Sequence, residues 1–358
     1  MSGSEMLCAV MYGVGDVRIE SRPVPQPAPN EVLVRIRRVG VCGSDVHYFT
    51  HGHIGDFVVE DPLLLGHESA GVVEEVGSAA EKFAPGDRVT IEPGYTCGQC
   101  FYCKTGHYNL CPDVVFMATP PIDGAFCEYV VWPEDFVFAL PDSMTFEEGA
   151  MMEPLSVGLW AAKRGEVKPG DSVAIFGCGP IGLLTLQAAK AAGATTLIAV
   201  DIEEYRLQHA RRLGATHVVN DRQGDAVDHI REVTSGLRGF RPDYSGVDVA
   251  FETAGAAAAT RNTLAAVRPG GVAVLVGLPP EAMVEIDLAA ASSKEIDIRG
   301  QFRYANRYPP AIALTVDGRI DVASLVTHHF PLEEAADALR FSDEHKAECL
   351  KVMVDVSD

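Results

Sequence analysis

The sequence predicts an α/β protein built from a β-rich domain and a doubly wound parallel sheet, and three observations carry that expectation. At 358 residues the chain has length for about two domains, each able to bury a sizeable core. Up to about Asp142 it is rich in short β-like runs. After Pro169-Gly170-Asp171 the rhythm changes to apolar runs alternating with amphipathic segments, as strands joined by helical crossovers require.

In the first part, strands are expected at Glu31–Val39, Gly71–Val76, Asp87–Ile91 and Phe126–Trp132. Val32, Val34 and Ile36 fall on one face of the pleat, opposite Arg35 and Arg37. A β-barrel-like domain with long loops fits this half. Thr145-Phe-Glu-Glu148 matches the Ser/Thr-x-x-Glu capping box, so a helix begins there. Pro154 is expected to interrupt it, with a second short helix from about Leu155 to Arg164.

The second part offers strands at Val173–Phe176, Thr196–Val200, His217–Asn220, Val247–Glu252, Val272–Val276 and Ile296–Arg299. Helices fall at Ile181–Ala192, Glu203–Leu213, Ala226–Thr234 and Ala256–Val267, with Gly193 and Gly214 as left-handed caps after the first two. Six strands with helical crossovers describe a doubly wound sheet. The tail carries helix-like Pro309–Val316 and Leu332–Leu339 and strand-like Leu350–Val354, which periodicity alone assigns to neither domain.

Composition narrows the function. Hydrophobic residues make up 47 % and charged residues 22 %, the ordinary globular mix, which excludes a disordered or collagen-like chain. A formal net charge of −21 repels phosphate backbones and anionic membranes, so neither nucleic acid nor membrane is an expected partner. Ser172–Ala189 is uncharged, but Gly177, Gly179, Pro180 and Gly182 break it as a spanning helix. The amino-terminal residues lack a basic n-region and a long apolar core, which points to the cytoplasm.

Gly177-Cys-Gly-Pro-Ile-Gly182 follows an expected strand and opens an expected helix, the context of the dinucleotide fingerprint. Gly177 serves the tight turn, Gly179 the approach of the pyrophosphate, and Gly182 close helix–strand packing, while Pro180 and Ile181 start the phosphate-binding helix. Asp201 ends the next strand, nineteen residues beyond Gly182, where a carboxylate accepts the ribose hydroxyls and repels a 2′-phosphate. NAD is therefore favoured over NADP. Arg206 could accommodate that phosphate, whereas Arg211 and Arg212 read as a solvated helix face.

Nine cysteines are present, and Cys97, Cys100, Cys103 and Cys111 crowd into fifteen residues. Without a secretory signal this argues for metal over disulfides. Four soft thiolates in a closed set suit a tetrahedral structural zinc, and an iron–sulfur cluster is the rival, although nothing else in the chain suggests electron transfer. The remaining candidates are dispersed: Cys42, His67, Glu68 and Glu153. Cysteine, histidine and carboxylate are acceptable donors for a catalytic zinc, but no spacing rule joins them, and singly each reads as an ordinary buried or solvated side chain.

Gly66-His-Glu-Ser-Ala-Gly71 through Val76-Gly77, the four-cysteine loop and the Gly177–Gly182 fingerprint, in that order, resemble the zinc-containing medium-chain dehydrogenases over essentially the whole chain. Within that superfamily, Cys42-Gly-Ser-Asp-Val-His-Tyr48, Ala118-Thr-Pro-Pro121, Met152-Glu-Pro-Leu-Ser-Val157 and Gly300-Gln-Phe-Arg-Tyr304 are most similar to the sorbitol and xylitol dehydrogenases.

The resemblance implies a GroES-like zinc-binding catalytic domain over residues 1–154 and 295–358, and an inserted Rossmann NAD-binding domain over 155–294, with catalysis in the cleft between them. It implies two zinc ions per chain, one structural and one catalytic. Cys42, His67 and Glu68 become ligands of the catalytic ion, and Glu153 a ligand or the anchor of a water. Ser44 and His47 form the proton path, and Tyr48, Phe116, Thr119, Arg303 and Tyr304 line a polyol pocket. A homotetramer oxidising a secondary hydroxyl of sorbitol or xylitol to a ketose, with NAD, is the activity implied. Threonine, butanediol or simple secondary alcohols are the alternative substrates, and a non-catalytic dinucleotide-binding redox sensor is the alternative of another class.

Overall fold

A computed structural model describes residues 5–237, 245–279 and 283–357, so the first four residues of the amino-terminal segment lie outside the described residues. The chain forms two compact units, one of Met1–Glu153, Tyr308–Val316 and Val322–Asp358, the other of Pro154–Arg307 and Asp317–Asp321.

The first unit is organised around a seven-stranded sheet. Its path runs Val137–Ala139, Arg88–Ile91, Glu68–Val76, Glu31–Gly40, Lys351–Asp355, Val326–Pro331, with Tyr129–Pro133 also pairing with Glu31–Gly40. Only the pairing of the last two strands in the chain is parallel. A smaller sheet orders Asp16–Pro23, Glu5–Gly13 and Leu63–Leu64. The expected alternation in Val32–Arg37 is realised, with Val32, Val34 and Ile36 buried among Met11, Val39, Ile91 and Phe126. Each such aliphatic side chain contributes about 1.5–3 kcal/mol by leaving water. The strand expected from Phe126 begins at Tyr129, because Cys127 instead makes an isolated bridge with Cys8.

Thr145 caps the helix Phe146–Ala150 as the capping box requires: Glu148 N donates to Thr145 Oγ1 at 3.1 Å, and Thr145 N to Glu148 Oε2 at 2.8 Å. Pro154 acts earlier than expected. The helix ends at Ala150, four residues before the proline, and a new one runs Met152–Arg164 with Pro154 in its first turn. The ring would clash with the carbonyl four residues back, whereas in a first turn the missing N–H has no intrahelical partner to lose.

The second unit is a six-stranded sheet in the order His217–Asn220, Thr196–Asp201, Ser172–Phe176, Val247–Glu252, Val267–Leu275, Asp297–Gly300, with every pairing parallel. Ser172–Phe176 and Val247–Glu252 are buried throughout, as their largely apolar runs require, and the buried Asp248 is satisfied by Ser172, whose N and Oγ both donate to its Oδ2 at 2.8 Å. The order reverses between these two strands, and ligands of such sheets bind beyond the carboxyl ends of the strands at that reversal. The boundary expected at residue 295 falls instead after Arg307, because Asp297–Gly300 is the sixth strand of this sheet. Among the described residues no helix is long and apolar enough to cross a membrane.

Candidate functional site

Three elements of the first unit bring Cys42, His67 and Glu68 together. Cys42 lies between strand Glu31–Gly40 and helix Gly43–His51, as the helix N-cap. His67 precedes strand Glu68–Val76, whose first residue is opposite Gly40. One donor atom from each of the three side chains lies within 4.8 Å of the others. Thiolate, imidazole and carboxylate are three protein donors of the kinds that fit a catalytic zinc. Glu153, in the first turn of its helix and 4 % exposed, is not among these mutually close donors.

Two residues that sequence reasoning missed hold the cluster. Asp45 is fully buried: its Oδ2 accepts from Cys42 N at 2.9 Å, and its Oδ1 accepts from Gly66 N at 2.9 Å and lies 3.5 Å from His67 Nδ1. One carboxylate thus ties the turn carrying the thiol to the turn carrying the imidazole. Burial by itself would neutralise both partners. The imidazole and the backbone amides outweigh it and hold Asp45 below the usual carboxylate range, and Asp45 and Cys42 likewise hold His67 well above its ordinary value.

The second is Lys351, 3 % exposed, whose Nζ donates to both oxygens of Glu68 at 2.7 Å and to Val41 O at 2.9 Å. Desolvation pulls its pKa down, but Glu68, Cys42 and Glu153 pull it above the ordinary lysine value. A carboxylate has about four acceptor positions, so Lys351 orients Glu68 and leaves lone pairs for a metal. Its signal in the sequence was a lysine inside an otherwise apolar strand, Leu350–Val354. Gly40 makes the room: a Cβ there would stand 2.1 Å from Glu68 Oε2.

Glu92 is a further buried carboxyl, 2 % exposed. Burial lifts it to about 7 against the lowering effect of the Tyr108 hydroxyl, which donates to Oε1 at 2.7 Å, with the Glu153 charge adding to the rise.

Of the expected proton-path and pocket residues in this unit, Ser44 and His47 are half-buried on helix Gly43–His51, and Tyr48 is buried there. The His47 Nδ1 lies 2.8 Å from the His53 carbonyl oxygen. Phe116 places its ring centroid 5.7 Å from that of His67, and Thr119 N donates to Phe116 O at 3.2 Å. In the other unit, Arg303 takes φ +48° with its guanidinium 4.8 Å above the Phe302 ring, and Tyr304 is buried.

The four cysteines of the 97–111 loop also converge. Their Sγ atoms lie 3.5 Å (Cys100–Cys103), 3.6 Å (Cys97–Cys111) and 4.0 Å (Cys97–Cys103) apart, and all nine cysteines of the chain are free thiols. Thiolates at about 2.3 Å from a tetrahedral zinc stand about 3.8 Å apart, so the set fits a closed site.

In the second unit the fingerprint has the expected packing. A Cβ on Gly182 would come 1.8 Å from the Gly177 carbonyl oxygen, so only glycine lets the helix start that close to the strand. Asp201 Oδ2 accepts from Cys178 N at 2.6 Å and Oδ1 from Glu203 N at 2.8 Å, which fixes the carboxylate at the end of the second strand. Arg206 Nη1 is 3.9 Å from Asp201 Oδ2 and within 4.0 Å of a Cβ built on Gly179, so this guanidinium stands beside the turn.

Comparison with known proteins gives a consistent picture. The family described as alcohol dehydrogenase GroES-like domain matches residues 28–142, and the one described as zinc-binding dehydrogenase matches residues 180–317. Sorbitol dehydrogenase of Bacillus subtilis (strain 168) is 49 % identical over 349 residues, 98 % of this chain and 97 % of that protein. Among solved structures, an Escherichia coli oxidoreductase/dehydrogenase of unknown specificity involved in membrane biogenesis is 42 % identical with a TM-score of 0.93, covering 99 % of this chain and 100 % of its own. A Sinorhizobium meliloti 1021 zinc-binding dehydrogenase bound to NADP is 34 % identical with a TM-score of 0.88 over 99 % and 100 %.

Proposed function

The chain belongs to the zinc-binding alcohol dehydrogenase family, and from that premise we propose that it oxidises a secondary hydroxyl of a polyol, sorbitol or xylitol, to a ketose with NAD as hydride acceptor. The observation that carries the reading is the buried meeting of Cys42, His67 and Glu68 in a chain that also holds the fingerprint and Asp201. These three side chains would hold the catalytic zinc, and Cys97, Cys100, Cys103 and Cys111 a structural one. Bound there, the catalytic ion would supply Lewis-acid polarisation of a hydroxyl oxygen.

The chain's own residues do the rest. Ser44 takes the hydroxyl proton and His47 passes it to solvent; both lie half-buried on the helix that Cys42 caps. Asp45 and Lys351 keep His67 and Glu68 in place without touching substrate. Glu153 orders a water or a substrate hydroxyl. Tyr48, Phe116 and Thr119, with Arg303 and Tyr304, are assigned to the polyol. The fingerprint helix takes the pyrophosphate and Asp201 the ribose hydroxyls, and its negative charge supports NAD, with Arg206 partly offsetting it. We also assign the chain to the cytoplasm as a homotetramer, for which light scattering on the purified protein is the check of assembly.

The test is the initial rate of NADH or NADPH formation at 340 nm on sorbitol, xylitol, threonine, 2,3-butanediol and 2-propanol. Preference for the polyols with NAD is expected. Turnover confined to threonine or the simpler alcohols overturns the substrate assignment, and preference for NADP overturns the role given to Asp201.

A further inference from the structure

Helix Gly43–His51 carries two histidines one turn apart, His47 and His51, and a third, His53, follows on the turn made by Gly52. Side chains four apart on a helix stand side by side. Here the two rings stack, with centroids 4.4 Å apart and 26° between their planes. The His53 ring meets His47 edge-on at 6.2 Å. His47 is half-buried, and His51 and His53 are exposed.

The hydrogen bonds decide which nitrogens are open. His47 Nδ1 faces the His53 carbonyl oxygen at 2.8 Å, and a carbonyl only accepts, so in the neutral ring Nδ1 carries the proton and Nε2 keeps its lone pair. Thr50 Oγ1 donates to Val46 O at 2.8 Å, which leaves it an acceptor for His51 Nδ1 at 2.7 Å. Nε2 of His51 is open for the same reason. Both imidazoles are therefore set in the tautomer a metal needs, each oriented through its other nitrogen by an oxygen, as is usual for metal-binding histidines. Ligating imidazole nitrogens on a tetrahedral ion stand about 3.3 Å apart with converging lone pairs, so the two stacked rings have to turn apart about their side-chain bonds to share an ion.

We propose that His47 and His51, joined by His53 through rotation of its exposed side chain, form a surface site for a divalent transition ion of the zinc, nickel or copper class. Imidazole suits these ions, and an acidic protein draws cations to its surface. The site is separate from both clusters described above. Occupancy engages Nε2 of His47, so bound metal blocks the proton path assigned to that residue; this consequence, but not the binding, rests on the proposed function.

The experiment is equilibrium dialysis of the zinc-replete enzyme against rising Zn²⁺ with metal counting, for wild type, His51→Ala and Thr50→Val. Wild type is expected to take up one equivalent beyond its internal sites, with at least tenfold weaker uptake in His51→Ala and a smaller loss in Thr50→Val, which lacks the hydroxyl that holds His51 Nδ1. The same zinc range should slow NADH formation, measured against each variant's own rate without added metal. Uptake lost in His51→Ala while turnover ignores zinc throughout supports the site and counts against the proton role of His47 instead. An extra equivalent that His51→Ala and a His51→Ala/His53→Ala double variant both retain, or none in wild type up to millimolar zinc, overturns the proposal.

Discussion

The two internal metal-type clusters are built by opposite strategies. The four-cysteine loop draws every donor from one stretch of fifteen residues, uses one element type, and its sulfurs carry no charged partners among the hydrogen bonds described. The Cys42, His67 and Glu68 cluster draws three donor chemistries from separate turns, and two of the donors lean on a buried charge, His67 on Asp45 and Glu68 on Lys351. The first is a self-contained clasp. The second is the product of a sheet register, since Glu68 faces Gly40 and Lys351 comes from the strand that pairs with Gly40 on its other side.

That contrast can be broken by removing one donor from each. His67→Ala should cost turnover on the order of 10³–10⁴-fold, since a catalytic metal supplies several kcal/mol of transition-state stabilisation and each 1.36 kcal/mol is tenfold. NAD binding, read by fluorescence, should stay near wild type, and a His67→Ala protein with normal turnover would remove the cluster from catalysis. Cys100→Ser should instead lose one zinc per chain and several kcal/mol of stability, about 10 °C in melting temperature. Unchanged zinc content and melting would show that the loop is not a metal clasp.

The supporting charges sharpen the comparison. Lys351→Met leaves the Glu68 carboxylate buried and unpaired, which should cost about 3–5 kcal/mol in denaturant unfolding of the metal-free protein. Adding Glu68→Gln should restore most of it, and a loss below about 1 kcal/mol for the single variant would mean that the pair is not the anchor its geometry indicates. The smallest effect belongs to Glu92. Its folded pKa is raised from 4.5 to about 7, so between these values the folded state holds a proton that the unfolded chain has released. Stability therefore falls as pH rises through this window, by up to about 3 kcal/mol above pH 7. Glu92→Gln, which can still accept from Tyr108, should be close to wild type at pH 4.5 and more stable at pH 8. Parallel pH–stability curves for the two proteins would assign the raised pKa no energetic weight.

Much of this was legible residue by residue. The Thr145–Glu148 box, the six parallel strands, Gly182 and Asp201 follow from patterns that act over a turn or a strand–turn–helix. Pro154 predicts a break at the proline itself, whereas the helix ends about one turn earlier at Ala150, because the clash the ring imposes is with a carbonyl four residues back. The sixth strand is legible in its own pattern, and the domain boundary that the resemblance implies at residue 295 falls before it. Asp45 stood in plain view between Ser44 and Val46, but its importance lies in the Gly66 amide and His67 ring, neither of which spacing brings near.

By itself, then, the sequence determined what short-range physics controls: the strand and helix periods, the glycine that a close approach demands, and four thiols so near in the chain that they can converge on one ion. Only the tertiary structure decided the mixed cluster and its supports. Bringing Cys42, His67 and Glu68 together takes the antiparallel pairing of strands Glu31–Gly40 and Glu68–Val76, and Lys351 arrives from a strand 310 residues beyond Val41, so the energy of a buried charge depends on which opposite charge such pairing delivers.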